Sequence, residues 1–73
     1  MSPQRFDIIA RLIRMRGGPA QDAARLVLVH DLRPSDAARA KHISVQSVTN
    51  AVRRVKRADE LVTLAASFDR KRS

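Results

Sequence analysis

Apolar positions in this chain recur mostly at intervals of three and four residues, the spacing that puts side chains on one face of a helix. In SPQRFDIIARLIRMRGG, Phe6, Ile9 and Ile13, flanked by Ala10 and Leu12, form such a face, and Arg5, Arg11, Arg14 and Arg16 lie mostly off it. Ser2 can cap this helix, Pro3 suits its first position because no N–H is needed there, and Gly17-Gly18 supplies a stop. Pro19 opens a second helix, PAQDAARLVLVH, with Ala23, Leu26 and Val27 inward and Leu28 and Val29 widening the face. Asp22 sits in its first turn, where the helix dipole favours an anion. LVLV would suit a buried strand by composition, but no earlier segment offers a sheet partner, so a helix is expected. His30-Asp31 and Leu32-Arg33-Pro34 read as a turn.

A short third helix is expected in SDAARAKH, started by Ser35 or Pro34, with Asp36 at its positive end. Ala37, Ala38 and Ala40 let a neighbouring helix approach closely. The chain must then turn at His42, and Ser44 is placed to cap a fourth helix over residues 44–57. At about 100° per residue, Val48, Ala51, Val52 and Val55 face inward, and Gln46, Asn50, Arg53 and Arg57 face outward. Thr49 and Lys56 border the outer stripe on one side, Ser47 and Arg54 on the other. In the tail, Leu61, Leu64, Ala65 and Phe68 fit a helix, whereas Val62, Leu64 and Ala66 fit a short strand; Arg70, Lys71 and Arg72 are expected to fray. The predicted fold class is all-α: a small domain of four to five helices over residues 1–58, with a helix-turn-helix at 35–57. Residues 59–73 form a short C-terminal helix or strand suited to dimerisation.

Composition sharpens this outline. With 73 residues and no cysteine, the core is small, and neither disulfides nor thiolate metal sites can supplement it. Two phenylalanines and no tryptophan or tyrosine leave aliphatic side chains to fill the interior, which favours close-packed helices and makes self-association a natural supplement. No apolar run approaches the roughly 20 residues that span a bilayer, and no signal-peptide pattern opens the chain. A soluble, cytoplasmic protein without membrane contact is expected. Fifteen basic residues against seven acidic give a net charge of +8. From Ala37 to Ala58 there is no acidic residue, while Arg39, Lys41, Arg53, Arg54, Lys56 and Arg57 all fall there. A polyanion is the simplest partner for such a patch, and a solvated basic face is the plainer alternative.

Two short helices joined by a tight turn, the second presenting amides and then arginines, have what a helix-turn-helix requires. The second helix enters the major groove with its N-terminal residues against base edges, while the first crosses the backbone. Amides pair bidentately with adenine and guanidinium groups with guanine. Ser44, Val45, Gln46, Thr49, Asn50 and Arg53 are the candidate base readers, and Arg39, Lys41, Ser47, Arg54, Lys56 and Arg57 the candidate backbone contacts. The register has internal support: small Ala38 falls where the first helix must face the second, and Ile43 fills the first apolar slot after the turn. His42 stands where glycine is usual, but histidine is among the residues better able to adopt positive φ. Lys41 stands where an apolar residue is usual, but its stem can lie along apolar surface.

The run Ala24 to Val55 also resembles a known family. Its ARLVLV in the second helix, Ala38, and the spacing of Ser47, Val48, Ala51, Val52, Arg54 and Val55 look like the operator-binding core of the TrfB/KorA family, small repressors of conjugative plasmids. Ser2 and Phe6 match its N-terminal start. The resemblance implies a homodimeric repressor on palindromic operators, with Ser44, Val45, Gln46 and Asn50 reading bases and Arg53 and Arg54 touching base or backbone. Val45 departs from the family's polar or basic reader; it can meet a thymine methyl but cannot pair with guanine. The tail is also shorter than the family's dimerisation region.

Leu61, Val62, Leu64 and Phe68 are the candidate dimer contacts, expected to hold two recognition helices roughly 34 Å apart. Two other classes fit the same residues: a non-specific nucleic-acid-binding module, motivated by the charge patch, and a helical adaptor for an acidic protein, motivated by the apolar tail. His30 and His42 lack carboxylates at ligand-like helical spacing from both, and the aspartates sit mostly at helix ends. Neither an enzyme, a cofactor, a metal nor a small-molecule substrate is expected.

Overall fold

Alanine decides how closely the helices of this chain pack. The computed structural model describes the backbone of residues 1–72 and the side chains of residues 1–69. Four helices and no strand lie among the described residues: α1 (Pro3–Leu12), α2 (Pro19–Leu28), α3 (Pro34–Lys41) and α4 (Val45–Arg72). Seven of the eleven buried hydrophobic residues are alanines; only Phe6, Ile9, Val48 and Val55 bring bulk. The core divides in two. Phe6, Ile9, Ala10, Ala24, Ala51, Val55 and Ala58 join α1, α2 and α4, whereas Ala23, Ala37, Ala38 and Val48 join α2, α3 and α4. Val52 packs against both parts. On α2, Leu26 and Val27 serve the second cluster and Leu28 and Val29 the first, so LVLV faces two neighbours from one short segment.

A proline occupies the first turn of α1, α2 and α3, as their sequences require. The Ser2 hydroxyl accepts the Arg5 N–H at 3.1 Å, completing the expected cap. Helix ends differ more from expectation. Gly17-Gly18 does not stop α1, which closes five residues earlier: Arg14 turns left-handed at φ 59°, and Met15 N–H reaches Ala10 O at 2.9 Å while Arg14 N–H reaches Arg11 O at 3.1 Å. That pair of bonds satisfies terminal carbonyls and turns the chain back, with Met15 packing against the core cluster that includes Ala10. The glycines instead shape the approach to α2, where both have positive φ and the Gln21 side chain accepts the Gly17 N–H at 2.7 Å. Leu12, the last residue of α1, points off the face of Phe6, Ile9 and Ala10 and is exposed, so it does not flank the core, and Ile13 is a half-buried cap residue. Asp31 also turns left-handed after α2, at φ 60°, and there Leu32 N–H reaches Leu26 O at 3.0 Å.

The tail is helix, not strand, and it is not a separate helix. α4 runs unbroken past the expected boundary at residue 58, because after Pro34 the chain contains no proline or glycine and is rich in alanine, arginine and lysine. Its 28 residues span about 42 Å. The other three helices cover only its first half: Ala58 is the last buried residue, and Glu60 to Asp69 are all exposed. Arg5 marks the limit of contact, pairing with Asp59 and donating from Nη2 to Thr63 Oγ1 at 2.9 Å. Arg70, Lys71 and Arg72, expected to fray, instead continue α4 in their backbone.

Candidate nucleic-acid interface

The turn between α3 and α4 is built by three consecutive residues with distinct tasks. His42 adopts the left-handed conformation, φ 56° and ψ 42°, that its position requires. Ile43 N–H then bonds back to Ala38 O at 3.0 Å, and the Ile43 side chain packs against the cluster containing Ala37, Ala38 and Val48. Ser44 caps α4: its Oγ accepts the Ser47 N–H at 3.1 Å and donates to Ser47 Oγ at 2.9 Å. Ala38 and Val48, both buried, meet across this turn as the register requires. The three residues therefore fix where α4 starts and which way it faces.

With Val48 and Val55 wholly buried, the opposite side of α4 must point to solvent. Gln46, Asn50, Arg53 and Arg57 are all exposed there, as are Arg54, Lys56 and, on α3, Arg39; Lys41 is half-buried. Val45 is exposed rather than packed, which leaves its methyl groups available to an apolar contact. Two candidate readers carry prior commitments. The Ser44 hydroxyl is held in the cap, and half-buried Thr49 donates its hydroxyl proton to Val45 O at 3.0 Å. Gln46 and Asn50 make no side-chain hydrogen bond among the described residues, so both amides are open to an external partner.

Electrostatics separates this face from the remaining basic residues. The ion pairs among the described residues join Arg5 to Asp59 and Arg25 to Asp7; Arg25 also stands over the Phe6 ring, 5.1 Å from its centroid. Those arginines are spent within the fold. None of Arg39, Lys41, Arg53, Arg54, Lys56 and Arg57 takes part in an ion pair there. An open depression of about 410 Å³ runs along Thr49, Val52, Arg53, Lys56 and Arg57 to Glu60, whose carboxylate closes the basic run.

The candidate dimer residues stand apart from the candidate readers in chain position but not in direction. Leu61, Val62, Leu64 and Phe68 are all exposed on the uncovered half of α4. Gln46, Asn50, Arg53, Arg57, Leu61, Leu64 and Phe68 follow one another at steps of four, three, four, four, three and four, and so lie along one line of the helix. The sequence contains that spacing, but it is invisible while residues 44–57 and 59–73 are read as separate elements. Arg5 was also missed as a structural residue, since nothing local indicates that α1 lies beside Asp59. Among the described residues, no helix is long and apolar enough to cross a membrane. No protein-family model matches the chain, and neither does any curated protein or solved structure.

Proposed function

We propose that this chain is a sequence-specific DNA-binding repressor that acts as a homodimer, with the N-terminal half of α4 in the major groove. The observation that carries this reading is the exposed stripe of Gln46, Asn50, Arg53 and Arg57, backed by buried Val48 and Val55 and bordered by cations that make no ion pair among the described residues. The stripe has the order a groove-reading helix needs: amides at the end nearest the turn, where base edges are met, and guanidinium groups further along, where phosphates rise. Arg39 and Lys41, at the end of α3, suit the flanking backbone. The motif resemblance of residues 24–55 to TrfB/KorA proteins agrees with the same role, including regulation of plasmid genes. A non-specific module is disfavoured by the two open amides, which a purely electrostatic grip would not need.

Site selection from a random duplex pool tests the reading directly, with a palindromic site as the expected result. On that site Gln46→Ala or Asn50→Ala should each remove about 1 to 3 kcal/mol of discrimination against non-cognate DNA. Arg57→Ala should weaken cognate and random duplexes alike and reduce the slope of log K against log salt by about 0.9. Equal affinity for selected and random duplexes, unchanged by the amide substitutions, would sink sequence-specific recognition and leave the non-specific module.

A further inference from the structure

The uncovered half of α4 carries a run of exposed apolar side chains that no other part of the chain covers. The chain exposes 5527 Å², whereas a compact monomer of 8.2 kDa exposes about 4,500 Å². The excess, about 1,000 Å², is of the order of the roughly 800 Å² that each partner contributes to a standard interface. Ile8 and Leu12 on α1 contribute to it singly, but on the uncovered half of α4 the exposed apolar side chains form a continuous run, Leu61, Leu64 and Phe68, which are 56%, 53% and 58% exposed. Their steps of three and four form the seam of a helix pair, and the flanking Ala65 and Ser67 are small enough to let a second helix approach. A seam of this kind is complementary to itself, so its occupant is a second copy of the chain.

We propose that two copies pair in parallel along Leu61, Leu64 and Phe68 and diverge on the N-terminal side of Leu61, so that the two basic halves of α4 grip one duplex from opposite sides. This deepens the DNA-binding reading and rests on it. The direction of pairing follows from the shared line of seam and reading stripe. In a parallel pair both reading stripes lie at the same end and face each other across a gap. An antiparallel pair would put them at opposite ends facing opposite ways, where one straight duplex cannot meet both. Arg57 marks the place of divergence, because it is the next step on the seam line and would confront its own copy. Like charges open the pair there, and phosphates between the two helices relieve the repulsion. α1, α2 and α3 pack on the buried side of α4 and so lie outside the fork.

Distances agree with this geometry. Asn50 lies eleven residues before Leu61, about 16 Å along the helix. Axes about 10 Å apart at the seam must each tilt outward by roughly 20° to straddle a duplex with both helices in its major groove. Two helices on the same face of DNA, roughly 34 Å apart, would require roughly 50° each. The fork therefore sets the two half-sites on opposite faces of the duplex, about half a helical turn apart.

The chain has no cysteine, so single-cysteine variants report the pairing directly. Leu61→Cys and Phe68→Cys, each oxidised with and without a random-sequence duplex, should both give covalent dimers, with more product when DNA is present. A symmetric antiparallel pair brings only one of these positions close to its own copy, because they lie about 10 Å apart along the axis and a disulfide needs Cα atoms within about 7 Å. Cross-linking of one position alone, or of neither, overturns the parallel seam. Leu64→Glu, at an exposed position, should leave the helical content unchanged and lower duplex affinity roughly a hundredfold by separating the two halves. If it leaves affinity unchanged, or if mass measurement finds one chain per duplex with the salt slope intact, the fork fails while DNA binding survives. Efficient cross-linking of both positions without any duplex binding rejects the fork through the failure of the DNA reading itself. Recovery of a different protein on the seam, with no covalent homodimer, also overturns it.

Discussion

The two halves of α4 have the same spacing on their outward side but different support behind them. From Val45 to Ala58 the helix is backed by α1, α2 and α3, with Val48, Ala51, Val55 and Ala58 buried and Val52 half-buried. From Glu60 to Asp69 every side chain is exposed, and leucine and phenylalanine occupy the line that amides and arginines occupy earlier. A helix can thus change chemistry along one stripe without changing geometry. The first half holds polar groups outward because its apolar groups have a core to enter. The second half has no such core, so its apolar groups remain outward unless another chain covers them. The contrast also separates two kinds of apolar residue that a hydropathy scale treats alike: Val55 holds the fold, whereas Leu64 is available for association.

The sharpest way to break this comparison is to place a charge in each half. Val55→Asp should unfold the chain, since an unpaired buried carboxylate costs several kcal/mol and a core of this size supplies only about 3 to 5 kcal/mol. Leu64→Asp at low protein concentration should leave the thermal midpoint within a few degrees of the parent. Circular dichroism melts of both variants make the test; equal losses would mean that the second half belongs to the core.

Smaller effects sharpen the account of how the first half is aimed. Ser44→Ala should cost about 1 kcal/mol by removing the acceptor of the Ser47 N–H, seen as a midpoint lower by about 4 to 8 °C. His42→Gly should act in the opposite direction. Relief of left-handed backbone strain, about 1 to 2 kcal/mol, exceeds the added unfolded-chain entropy of glycine, about 0.4 to 1 kcal/mol. A net gain of about 0.5 to 1 kcal/mol is expected in chemical denaturation, and a loss would show that the His42 side chain contributes more than its backbone conformation. Arg5→Ala should have the smallest global effect, a few tenths of a kcal/mol for a largely exposed ion pair. Hydrogen exchange at residues 59–63 should nevertheless accelerate, because Arg5 is the last tie between the body and the free half of α4.

Much of this architecture was legible because local chemistry and tertiary need agreed. Proline at each of the first three helix starts, Ala38 opposite Val48, His42 at the turn and Ser44 at the cap each have a local physical reason that packing did not override. The outward direction of Gln46, Asn50, Arg53 and Arg57 followed from periodicity alone. Gly17-Gly18 misled, because a residue with a side chain, Arg14, takes the left-handed position when Met15 can pack back on the core. The strong glycine signal therefore marked the start of α2 instead of the end of α1. The tail was ambiguous for a different reason: its apolar residues are consistent with both periods, and nothing nearby in sequence decides between them.

By itself the sequence determined the helical class, the order of elements, the inward and outward faces of residues 44–57 and the concentration of unopposed positive charge there. These are properties of spacing and composition, and they survive any arrangement that buries the apolar face. Only the tertiary structure decided where α1 stops, that Arg5 binds Asp59 and Thr63, and that α4 continues beyond the body that supports it. Those outcomes depend on contacts between residues distant in the chain, which fix how much of a helix the rest of the molecule is long enough to cover.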